Sequence, residues 1–557
     1  LMPYRDYFLA STPLYIPTCG GALRLFGDTV AVAHAFGVFE RLVIAGLVYA
    51  WLSRLFAVRH ALLATVVTMV ASAADNSDPI ASYNHETIMW AIASGLAASF
   101  ALDFESTPGR AGMAAFLSGF FASLSFATKQ TMGLGATLFI PAAVCLCILR
   151  LAGVRKAREF LLLFVAGWAI PAGALLFWMG HIGVIHQFLV DTFFKGPAAK
   201  AGSPLDFLTR AILVAKLYWW ALLLGVVTLA LSWNNLRRAG ASNKDVTSDS
   251  WRSVLLVGLC CAAAIGIGVW ASYSDLQIVN WLSKPAIYFT LFTTLALLLT
   301  YAWLWLRGTL SPREAQLCLL ATVSFVMAFM VSLSYPLFEA MLLPGLGFLI
   351  AAVLDSFRGW RPILTDALCA LLLATLTCAK LELPFGFDGF NEPPVRTATA
   401  VSDLPEMEGL RLPPAIVNFI DGAARIVAAR SSPGDTIFTY PEMGIFYPIT
   451  HRNCPTGSCS TNIDVVNDSS AREEAAGLLK ARPAVLIYNR PSETILHGDE
   501  LVWRHGRPSG QRAMIAAMET LSSEYDLVAT FKLPPDGLLV SVYARPMRRA
   551  LNSGVTR

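Results

Sequence analysis

GMAAFLSGFFASLSFATKQTMGLGATLFIPAAVCLCILR, residues 112–150, consists of two apolar runs separated by a short polar break. The runs, 112–128 and 131–149, are each close to the roughly 20 residues that an α-helix needs to cross a bilayer. The break contains Lys129, a charge placed directly between two apolar segments. The stretch therefore predicts two consecutive membrane-spanning helices with a basic residue at their junction.

The composition of the whole chain agrees with this pattern. The 557 residues are 55% hydrophobic and 14% charged, whereas soluble domains carry roughly 25% charged residues. The mean hydropathy is +0.57. These values indicate a polytopic membrane protein. The net charge of +4 is small, and the sequence has no basic stripe with interleaved aromatic residues, which argues against a nucleic-acid partner.

Apolar runs recur along the chain and predict about twelve spans. The predicted spans are 30–53, 61–74, 87–102, 112–128, 131–149, 161–180, 211–232, 253–271, 285–306, 315–332, 337–353 and 363–379. The predicted fold class is therefore an α-helical polytopic membrane protein that carries a small C-terminal α/β domain.

Lys and Arg alternate between the connecting loops, and such residues collect on the cytoplasmic side of membrane proteins. Segment 181–210 is a partial exception to the alternation. The pattern places residues 1–29, and everything after about residue 380, outside the cytoplasm of a bacterial-type inner membrane. The basic loops carry Arg54 and Arg59; Arg110; Arg150, Arg155, Lys156 and Arg158; Arg237, Arg238, Lys244 and Arg252; Arg307 and Arg313; Arg358 and Arg361.

The first residue is Leu1, not Met. Because residues 1–29 are predicted to form an outer loop, a further helix is expected to cross the membrane just before Leu1. We therefore expect the sequence to be truncated at its N-terminus.

The character of the chain changes after Lys380. Residues 380–412 are rich in Pro, Gly and acidic residues and are predicted to form a linker. Residues 413–545 alternate amphipathic helical patterns with strand patterns and predict an extracytoplasmic α/β domain of normal size. Residues 546–557 form a basic tail. The remaining division is a first outer loop with interfacial helices, 1–29, and a multi-span membrane domain, 30–379.

Two of the ten cysteines lie in a polar setting. Cys454 and Cys459 belong to NCPTGSCS, residues 453–460, whereas the others lie in or near apolar runs and act as small hydrophobic residues. If this segment faces an oxidising compartment, the pair is a disulfide candidate. The alternative is two free thiols in a loop.

Polar residues gather in the predicted outer loops, so we place the candidate site on the outer face. Arg5 and Asp6 stand side by side in YRDYFLASTPLY, residues 4–15, an aromatic segment that fits short helices lying in the membrane interface. A carboxylate held there can accept a proton from an incoming hydroxyl. The alternative is that the pair only solvates an interfacial loop.

Two lysines are further candidates. An unpaired charge between apolar runs is costly and often functional, which makes Lys129 the first candidate, against the alternative of a snorkelling topology residue. Lys195 lies in segment 181–210, the longest predicted outer loop. That loop could order over a bound lipid, or it is an ordinary mobile loop.

SYNHETI, residues 82–88, adjoins the start of a predicted span. Glu86 near a helix N-terminus is favoured by the helix dipole, which is the plainer explanation for it. The sharper hypothesis makes Tyr83, His85 and Glu86 supporting or metal-binding groups that face Asp6. The motif is not that of a zinc protease, because position 89 is Met rather than His.

These motifs, taken in order, resemble those of GT-C glycosyltransferases, which include protein O-mannosyltransferases and the lipid A aminoarabinose transferase. The resemblance covers most of the chain. It is carried by PYRDYF, PLY and LFGD in the first loop; SYNHETIMWAIAS and GFFASLSFATKQTMGLG in later membrane segments; and GDTIFTYPEMGIFYPITHR, residues 434–452, near the C-terminus.

The resemblance implies a sugar donor built on polyprenyl phosphate and used on the outer face of the membrane. It implies that Asp6 is the catalytic carboxylate, in a single inverting displacement with a phosphate as leaving group. Positive groups or a metal must then bind the lipid phosphate. It implies no certain cofactor and leaves a divalent cation open. The candidate substrate- and phosphate-binding residues are Arg5, Lys129, Lys195, Tyr83, His85 and Glu86.

Two other functions stay open on the sequence. A transporter or flippase of a lipid-linked substrate would show inverted repeats and polar midplane residues, and no such repeat is apparent. An enzyme like O-antigen ligase or oligosaccharyltransferase would transfer a preassembled glycan. In all three cases the expected partners are membrane lipids and a lipid-linked donor or cargo, with an extracytoplasmic acceptor for the transferases.

Overall fold

The computed structural model describes most of the membrane region and nearly all of the C-terminal region. The described residues are 3–4, 7, 9, 11–74, 82–103, 107–195, 219, 223, 251–273, 283–332, 343–356, 362–384, 386–387, 390–441, 443–459, 461–534 and 537–546. The catalytic candidate Asp6 and its neighbour Arg5 lie outside these residues, as does the predicted span 211–232 apart from two positions.

Long helices make up the described membrane region. They are α1 Tyr15–Phe26, α2 Val30–Leu55, α3 Val58–Ala74, α4 Tyr83–Ala101, α5 Pro108–Thr128, α6 Gln130–Ala152, α7 Val154–His181, the short α8 Ile185–Leu189 with a π-helical turn Val190–Lys195, α9 Trp251–Tyr273, α10 Ser283–Arg307, α11 Pro312–Ser332, α12 Leu343–Ser356 and α13 Pro362–Glu382. Every predicted span except 211–232 overlaps one of them. The break at Lys129 is the junction between α5 and α6.

Five of the described helices are long and apolar enough to cross a membrane: Val30–Leu55, Pro108–Thr128, Gln130–Ala152, Val154–His181 and Pro312–Met330. The chain is therefore a multi-pass membrane protein. The total of about twelve spans stays a prediction.

Successive helices run between two ends of the bundle. The α1 end, as we call it, contains α1, the starts of α2, α4 and α6, and the end of α7. At the opposite end, Arg313 Nη2 donates to the Leu55 carbonyl at 2.9 Å, and Gln316 Nε2 donates to the Ser99 carbonyl at 2.7 Å. Arg59 at the start of α3 pairs with Asp366 on α13. Each of these contacts joins helix ends that the sequence predicts to lie on the same side of the membrane.

Glycines allow α5 and α7 to cross closely. An added Cβ at Gly119 would lie 1.9 Å from the Phe164 carbonyl oxygen, and one at Gly167 would lie 1.9 Å from the Phe116 oxygen. Both helices can therefore approach to backbone contact, as small residues permit between membrane helices. This packing fixes α5, and with it the α5–α6 junction that carries Lys129.

A four-stranded sheet forms the centre of the C-terminal region, in the order β3-β4-β6-β5. Its strands are β3 Ile437–Tyr440, β4 Val485–Tyr488, β5 Asp526–Leu533 and β6 Leu538–Ala544; a separate small pair is β1 Gly386–Phe387 and β2 Phe390–Asn391. β3 and β4 are parallel, with Ile437 opposite Val485, and the other pairs are antiparallel. β5 and β6 form a hairpin, with Leu533 opposite Leu538.

Helices cover both faces of this sheet. They are α14 Pro414–Arg430, α15 Phe446–Thr450, α16 Asp468–Ala481, α17 Glu493–Arg504 and α18 Gln511–Glu524. Ile437 on β3 packs with Phe419 of α14, whereas Phe438, the next residue, packs with Leu478 of α16 and Met518 of α18. Since successive strand residues point to opposite faces, β3 and β4 are buried on both sides, which explains their uninterrupted apolar sequence.

The C-terminal region rests on the α1 end of the bundle. Arg396 pairs with Glu382 at the end of α13. Val30 at the start of α2 packs against the apolar core that includes Met407, and Gly409 lies beside Ala31. The segment that was predicted to be a linker therefore makes defined contacts with the membrane helices.

A buried carboxylate ties α17 to α18. Glu500 is 2% exposed and accepts hydrogen bonds from Ser509 N at 2.7 Å and from Arg512 Nε and Nη2, each at 2.9 Å. Burial raises the pKa of Glu500, but the hydrogen bonds from Arg512 and Ser509 outweigh it and hold that pKa below the ordinary 4.5.

Replacing Glu500 with Gln is expected to lower the free energy of unfolding of the C-terminal region by roughly 2 kcal/mol, because the hydrogen bonds from Ser509 and Arg512 would then reach a neutral amide instead of a buried carboxylate. A carboxyl group with a lowered folded-state pKa stabilises the fold above its unfolded pKa and loses that contribution in acid. The advantage of wild type over the variant should therefore be full above about pH 5 and shrink as the pH falls below 4.5. Thermal unfolding of the purified chain in detergent measures it.

Glu493→Gln is the matched control. Glu493 contacts the same arginine, with Nη1 of Arg512 at 3.3 Å, but its side chain is 80% exposed. Exposed ion pairs contribute about 1 kcal/mol or less, so this variant should unfold almost as wild type does. Equal losses in the two variants would contradict the assignment of the stabilisation to Glu500.

Candidate active site

Buried polar side chains meet at the α1 end, where α1 covers the start of α4. Arg41 lies about 16 Å along α2 from its first residue, at 1.5 Å per residue, yet it contacts His85 in the first turn of α4. The first turn of α4 therefore lies deeper in the bundle than the start of α2. The cluster of polar side chains around this turn, which we call the recess, is the candidate site.

Glu86 fastens α1 over this recess. The Ser82 side chain caps α4 by accepting from Asn84 N, so that Glu86 falls in the first helical turn. The Glu86 carboxylate is 1% exposed and accepts from Thr18 Oγ1 of α1 at 2.8 Å and from Trp90 Nε1 at 3.2 Å. Glu86 therefore has the favourable position near the helix N-terminus that the sequence predicts. Its hydrogen bond from Thr18 was not indicated by the sequence.

Lys129 reaches the SYNHE motif from the α5–α6 junction. It is 7% exposed, and its Nζ donates to Asn84 Oδ1 at 2.7 Å. The same ammonium lies 4.9 Å from the centre of the Tyr83 ring, a cation–π contact, and Tyr83 in turn packs edge-on against Tyr15 of α1. The structure thus places Lys129 against Tyr83, in the same motif as His85 and Glu86, so four of the predicted site residues lie in one region.

Arg41 is a member of the site that reasoning from sequence did not select. Its Nε and Nη2 atoms are each 3.3 Å from His85 Nε2, and His85 is fully buried. The signal was present, because a charge inside an apolar run usually faces a partner or a cavity. The identity of the partner, 44 positions away on another helix, could not be deduced from the sequence.

A cleft opens between α2 and α3 beside the Arg41 side chain. Its lining combines one cation, several hydroxyls and an apolar wall. The lining residues are Arg41, Ile44, Ala45, Val48, Thr65, Thr68, Met69 and Ser72. The apolar lining residues of α2 lie one to two turns beyond Arg41. The charged part and the apolar part of the cleft therefore follow each other along that helix. The space that this lining encloses is about 10 Å³, which is enough for a single water molecule.

The described parts of the first loop are fixed to the same end of the bundle. Tyr4 is 4% exposed; its ring packs edge-on against Phe188, and its hydroxyl donates to the Ser11 carbonyl at 2.5 Å. Burial raises the pKa of the Tyr4 phenol, which therefore stays protonated. Thr12 donates through its N–H to Gln130 Oε1 at 3.2 Å and through Oγ1 to the Phe126 carbonyl at 2.8 Å.

Lys195 lies beside the first loop rather than in the recess. Its Nζ is 3.4 Å from Asp191 Oδ1, which also accepts from Gln187 Nε2 at 2.7 Å. The backbone carbonyl of Thr192 accepts from Gln130 Nε2 at 3.2 Å, so the π-helical turn is tied to the α5–α6 junction. The part of the predicted outer loop that follows Lys195 lies outside the described residues.

The metal question stays open. Within the residues that the structure describes, no group of three or more His, Cys, Asp or Glu side chains is arranged to hold a metal ion. Asp6, which the sequence hypothesis would include in such a group, is not among those residues.

The two C-terminal cysteines are free thiols in the structure. Cys454 is partly buried, Cys459 is exposed, and the two thiols lie close enough to share a hydrogen bond. The predicted disulfide is therefore not formed in the structure, although the two thiols lie near each other.

Comparison with known proteins gives structural similarities only. No protein-family model matches the sequence, and no curated protein does. The chain is similar to ArnT from Cupriavidus metallidurans bound to undecaprenyl phosphate, with a TM-score of 0.42 and 12% identity over 97% of this chain and 89% of that one. The apo form of that protein gives a TM-score of 0.42 and 13% identity over 97% and 88%.

An oligosaccharyltransferase from Archaeoglobus fulgidus, crystallised with Zn and sulfate, is also similar. Its TM-score is 0.49 and its identity 13%, over 98% of this chain and 67% of that one. ArnT is the lipid A aminoarabinose transferase, and both proteins are GT-C glycosyltransferases, the class that the sequence motifs resemble. Because each TM-score is below 0.5, the function of this chain has to be argued from its own residues.

Proposed function

We propose that the chain is an integral membrane glycosyltransferase that moves a sugar from a polyprenyl-phosphate donor to an acceptor outside the cytoplasm. The observation that carries the proposal is the recess at the α1 end, where His85, Glu86 and Lys129 are buried together and the partly buried Arg41 contacts His85. Charges in such a position are costly and are retained chiefly for function.

The distribution of cations supports an extracytoplasmic recess. Most of the basic residues at the described helix ends lie at the opposite end of the bundle. Because positive residues collect on the cytoplasmic side, that end is assigned to the cytoplasm. These residues are Arg54, Arg59, Arg150, Arg155, Lys156, Arg158, Arg307 and Arg313. The α1 end, the recess and the C-terminal region that rests on it would then all face away from the cytoplasm of a bacterial-type inner membrane.

The donor phosphate would bind between Arg41 and Lys129. An arginine offers a fork of donors that matches phosphate oxygens, and a lysine adds a point charge. The polyprenyl chain would leave the site beside Arg41, where the lining between α2 and α3 becomes apolar. Arg5 and Lys195, which belong to or adjoin the first loop, are the remaining phosphate-binding candidates.

Asp6 would accept the proton of the acceptor hydroxyl. It follows Tyr4 by two residues in the sequence, and the Tyr4 and Thr12 side chains fix that loop to the α1 end. The departing group is a phosphate, which is a weak base, so a strong general acid is unnecessary. One carboxylate and a phosphate clamp then suffice for a single displacement that inverts the sugar anomer.

Glu86 is assigned a positioning role. Both of its oxygens accept hydrogen bonds, from Thr18 and from Trp90, and the first of these holds α1 across the recess. Tyr83 and His85 orient the two cations, the former through its ring face and the latter through Nε2. The transferred group is proposed to be a hexosyl or pentosyl unit and the acceptor a lipid, glycan or protein.

Proteoliposomes loaded with a polyprenyl-phosphate sugar and a mixed acceptor pool test the proposal. Mass spectrometry should detect free polyprenyl phosphate together with an acceptor that is heavier by one sugar. An acceptor heavier by a whole glycan would favour the ligase-like alternative. Movement of the intact donor across the bilayer, with no sugar transferred, would overturn the proposal in favour of a flippase.

A further inference from the structure

Cys454 and Cys459 close a short loop at the edge of the C-terminal sheet. The loop starts at Asn453, whose carbonyl accepts from Ile437 N of β3 at 3.1 Å. Cys454 is therefore anchored next to the sheet and cannot drift away from it. Cys459 lies at the other side of the loop and is exposed.

The turn between the cysteines brings the chain next to Cys459 back to the Cys454 sulfur. Thr456 Oγ1 donates to the Ser458 carbonyl at 3.1 Å, and that carbonyl lies 3.8 Å from Cys454 Sγ. Cys454 Sγ also lies 3.4 Å from Thr456 Oγ1. Cys459 follows Ser458 directly, so the same turn brings its thiol to the side of Cys454.

A carboxylate from α16 lies against the turn. The backbone N–H groups of Gly457 and Ser458 are directed toward Glu474. An added Cβ at Gly457 would come within 3.2 Å of Glu474 Oε1, so the turn lies close against that side chain. Glu474 therefore helps to hold the loop in its turn.

We propose that Cys454 and Cys459 are joined in the cell by thiol–disulfide exchange with an oxidising thiol oxidoreductase, and that the disulfide locks this loop over Glu474. The in-cell part rests on the extracytoplasmic side given to the C-terminal region under the proposed function, because disulfides persist in oxidising compartments. The juxtaposition of the sulfurs is independent of that assignment.

The exchange proceeds in two steps. The Cys454 thiolate attacks one sulfur of the disulfide of the oxidoreductase, forming a mixed disulfide and releasing the second sulfur as a thiolate. The Cys459 thiol then loses its proton and attacks the Cys454 sulfur, which frees the first sulfur of the oxidoreductase. The products are the Cys454–Cys459 bond and a reduced dithiol, so two electrons and two protons have moved to the oxidant.

The local environment favours Cys454 as the first nucleophile. The hydrogen bond from the Cys459 thiol lowers the pKa of the Cys454 thiol to about 6, so that Cys454 is largely thiolate at neutral pH. The Tyr447 hydroxyl also donates to it. The same coupling raises the pKa of Cys459, which keeps the exposed thiol protonated until the second step.

Mass spectrometry of the full chain under non-reducing conditions tests the pair. After alkylation of free thiols, the chain isolated from cells should yield a Cys454–Cys459 linked peptide about 2 Da lighter than its reduced form. Cys454→Ser and Cys459→Ser should each abolish the linked species. Cys260→Ser, which removes another exposed cysteine on α9, should leave it unchanged.

Thermal unfolding supplies a second measurement. Reductant should lower the unfolding temperature of wild type and of Cys260→Ser by a few degrees, because a cross-linked unfolded chain has less entropy. The double variant Cys454→Ser/Cys459→Ser should unfold at one temperature with or without reductant. A linked peptide without any such shift would contradict the locking of the loop.

Two negative results can be told apart. If the purified chain fails to form the bond even with oxidised glutathione, the proposed geometry is wrong. If the bond forms with glutathione but is missing from cells, the region faces a reducing compartment, and the in-cell disulfide is overturned together with the assigned side. Loss of sugar transfer in a chain that carries the bond would count against the proposed function alone.

Discussion

Replacing Asp6 with Asn is expected to reduce the rate of sugar transfer by at least about 100-fold, because a general base contributes roughly 10²–10⁴ to such a reaction. Asn keeps the size of the side chain and can still accept a hydrogen bond, but it cannot take the proton of the acceptor hydroxyl. The loss should therefore fall on kcat, with the KM for the lipid donor nearly unchanged. Initial rates with a polyprenyl-phosphate sugar measure both.

Asp103→Asn is the matched control for this experiment. Asp103 is an exposed carboxylate between α4 and α5, at the end of the bundle opposite to α1. Its replacement should leave the transfer rate within about twofold of wild type, since isolated exposed charges contribute little. An Asp6→Asn chain that retains more than half of the wild-type rate would remove Asp6 from its catalytic role.

Neutralising the proposed phosphate clamp is expected to weaken donor binding. Arg41→Gln and Lys129→Gln should each raise the KM for the donor by about 10- to 100-fold, which corresponds to the 1.5–3 kcal/mol of a charge-assisted hydrogen bond. Arg41→Lys should recover part of the loss, because it restores the charge but not the forked geometry. Inhibition by free polyprenyl phosphate should weaken in parallel.

Arg155→Gln provides the comparison for the clamp variants. The Arg155 side chain is 92% exposed at the start of α7 and pairs with Glu159 one turn away. This substitution removes the same charge from the membrane domain, so an equal rise in KM would show a general charge effect and contradict the clamp. Unfolding temperatures should be recorded as well, since Arg41 also contacts the buried His85.

The membrane helices were largely predictable from the sequence, because burial in lipid requires long, nearly uninterrupted apolar runs. The junction at Lys129 was recognisable for the same reason, as a single charge between two such runs. Pairings across helices were not. Neither the bond from Thr18 to Glu86 nor the contact of Arg41 with His85 leaves a periodic trace in the sequence.

The C-terminal region shows the same division. β3 and β4 were predictable because both of their faces are buried, which produces short continuous apolar runs. Helix α17, Glu493–Arg504, was not predicted, although its sequence ETILHGDELVWR is strongly amphipathic and could have indicated it. What stabilises its end is the Glu500–Arg512 contact, which joins residues of two different helices.

Sequence spacing also could not tell which lysine belongs to the recess. The sequence ranked Lys129 ahead of Lys195 but gave no contact for either; Lys129 contacts Tyr83 and Asn84, whereas Lys195 pairs with Asp191 on its own helical turn. The two lysines differ in their contacts because α6 and α8 lie at different positions relative to α4. Those positions depend on helix packing and not on local composition.

An experimental structure of the full chain with bound polyprenyl phosphate tests the central claim most directly. We predict that the phosphate oxygens lie within hydrogen-bonding distance of Arg41 and Lys129, with the lipid chain along the α2–α3 cleft and the Asp6 carboxylate facing the same cavity. A phosphate bound at the opposite end of the bundle, or an Asp6 carboxylate directed into bulk solvent away from the lipid, would contradict the account.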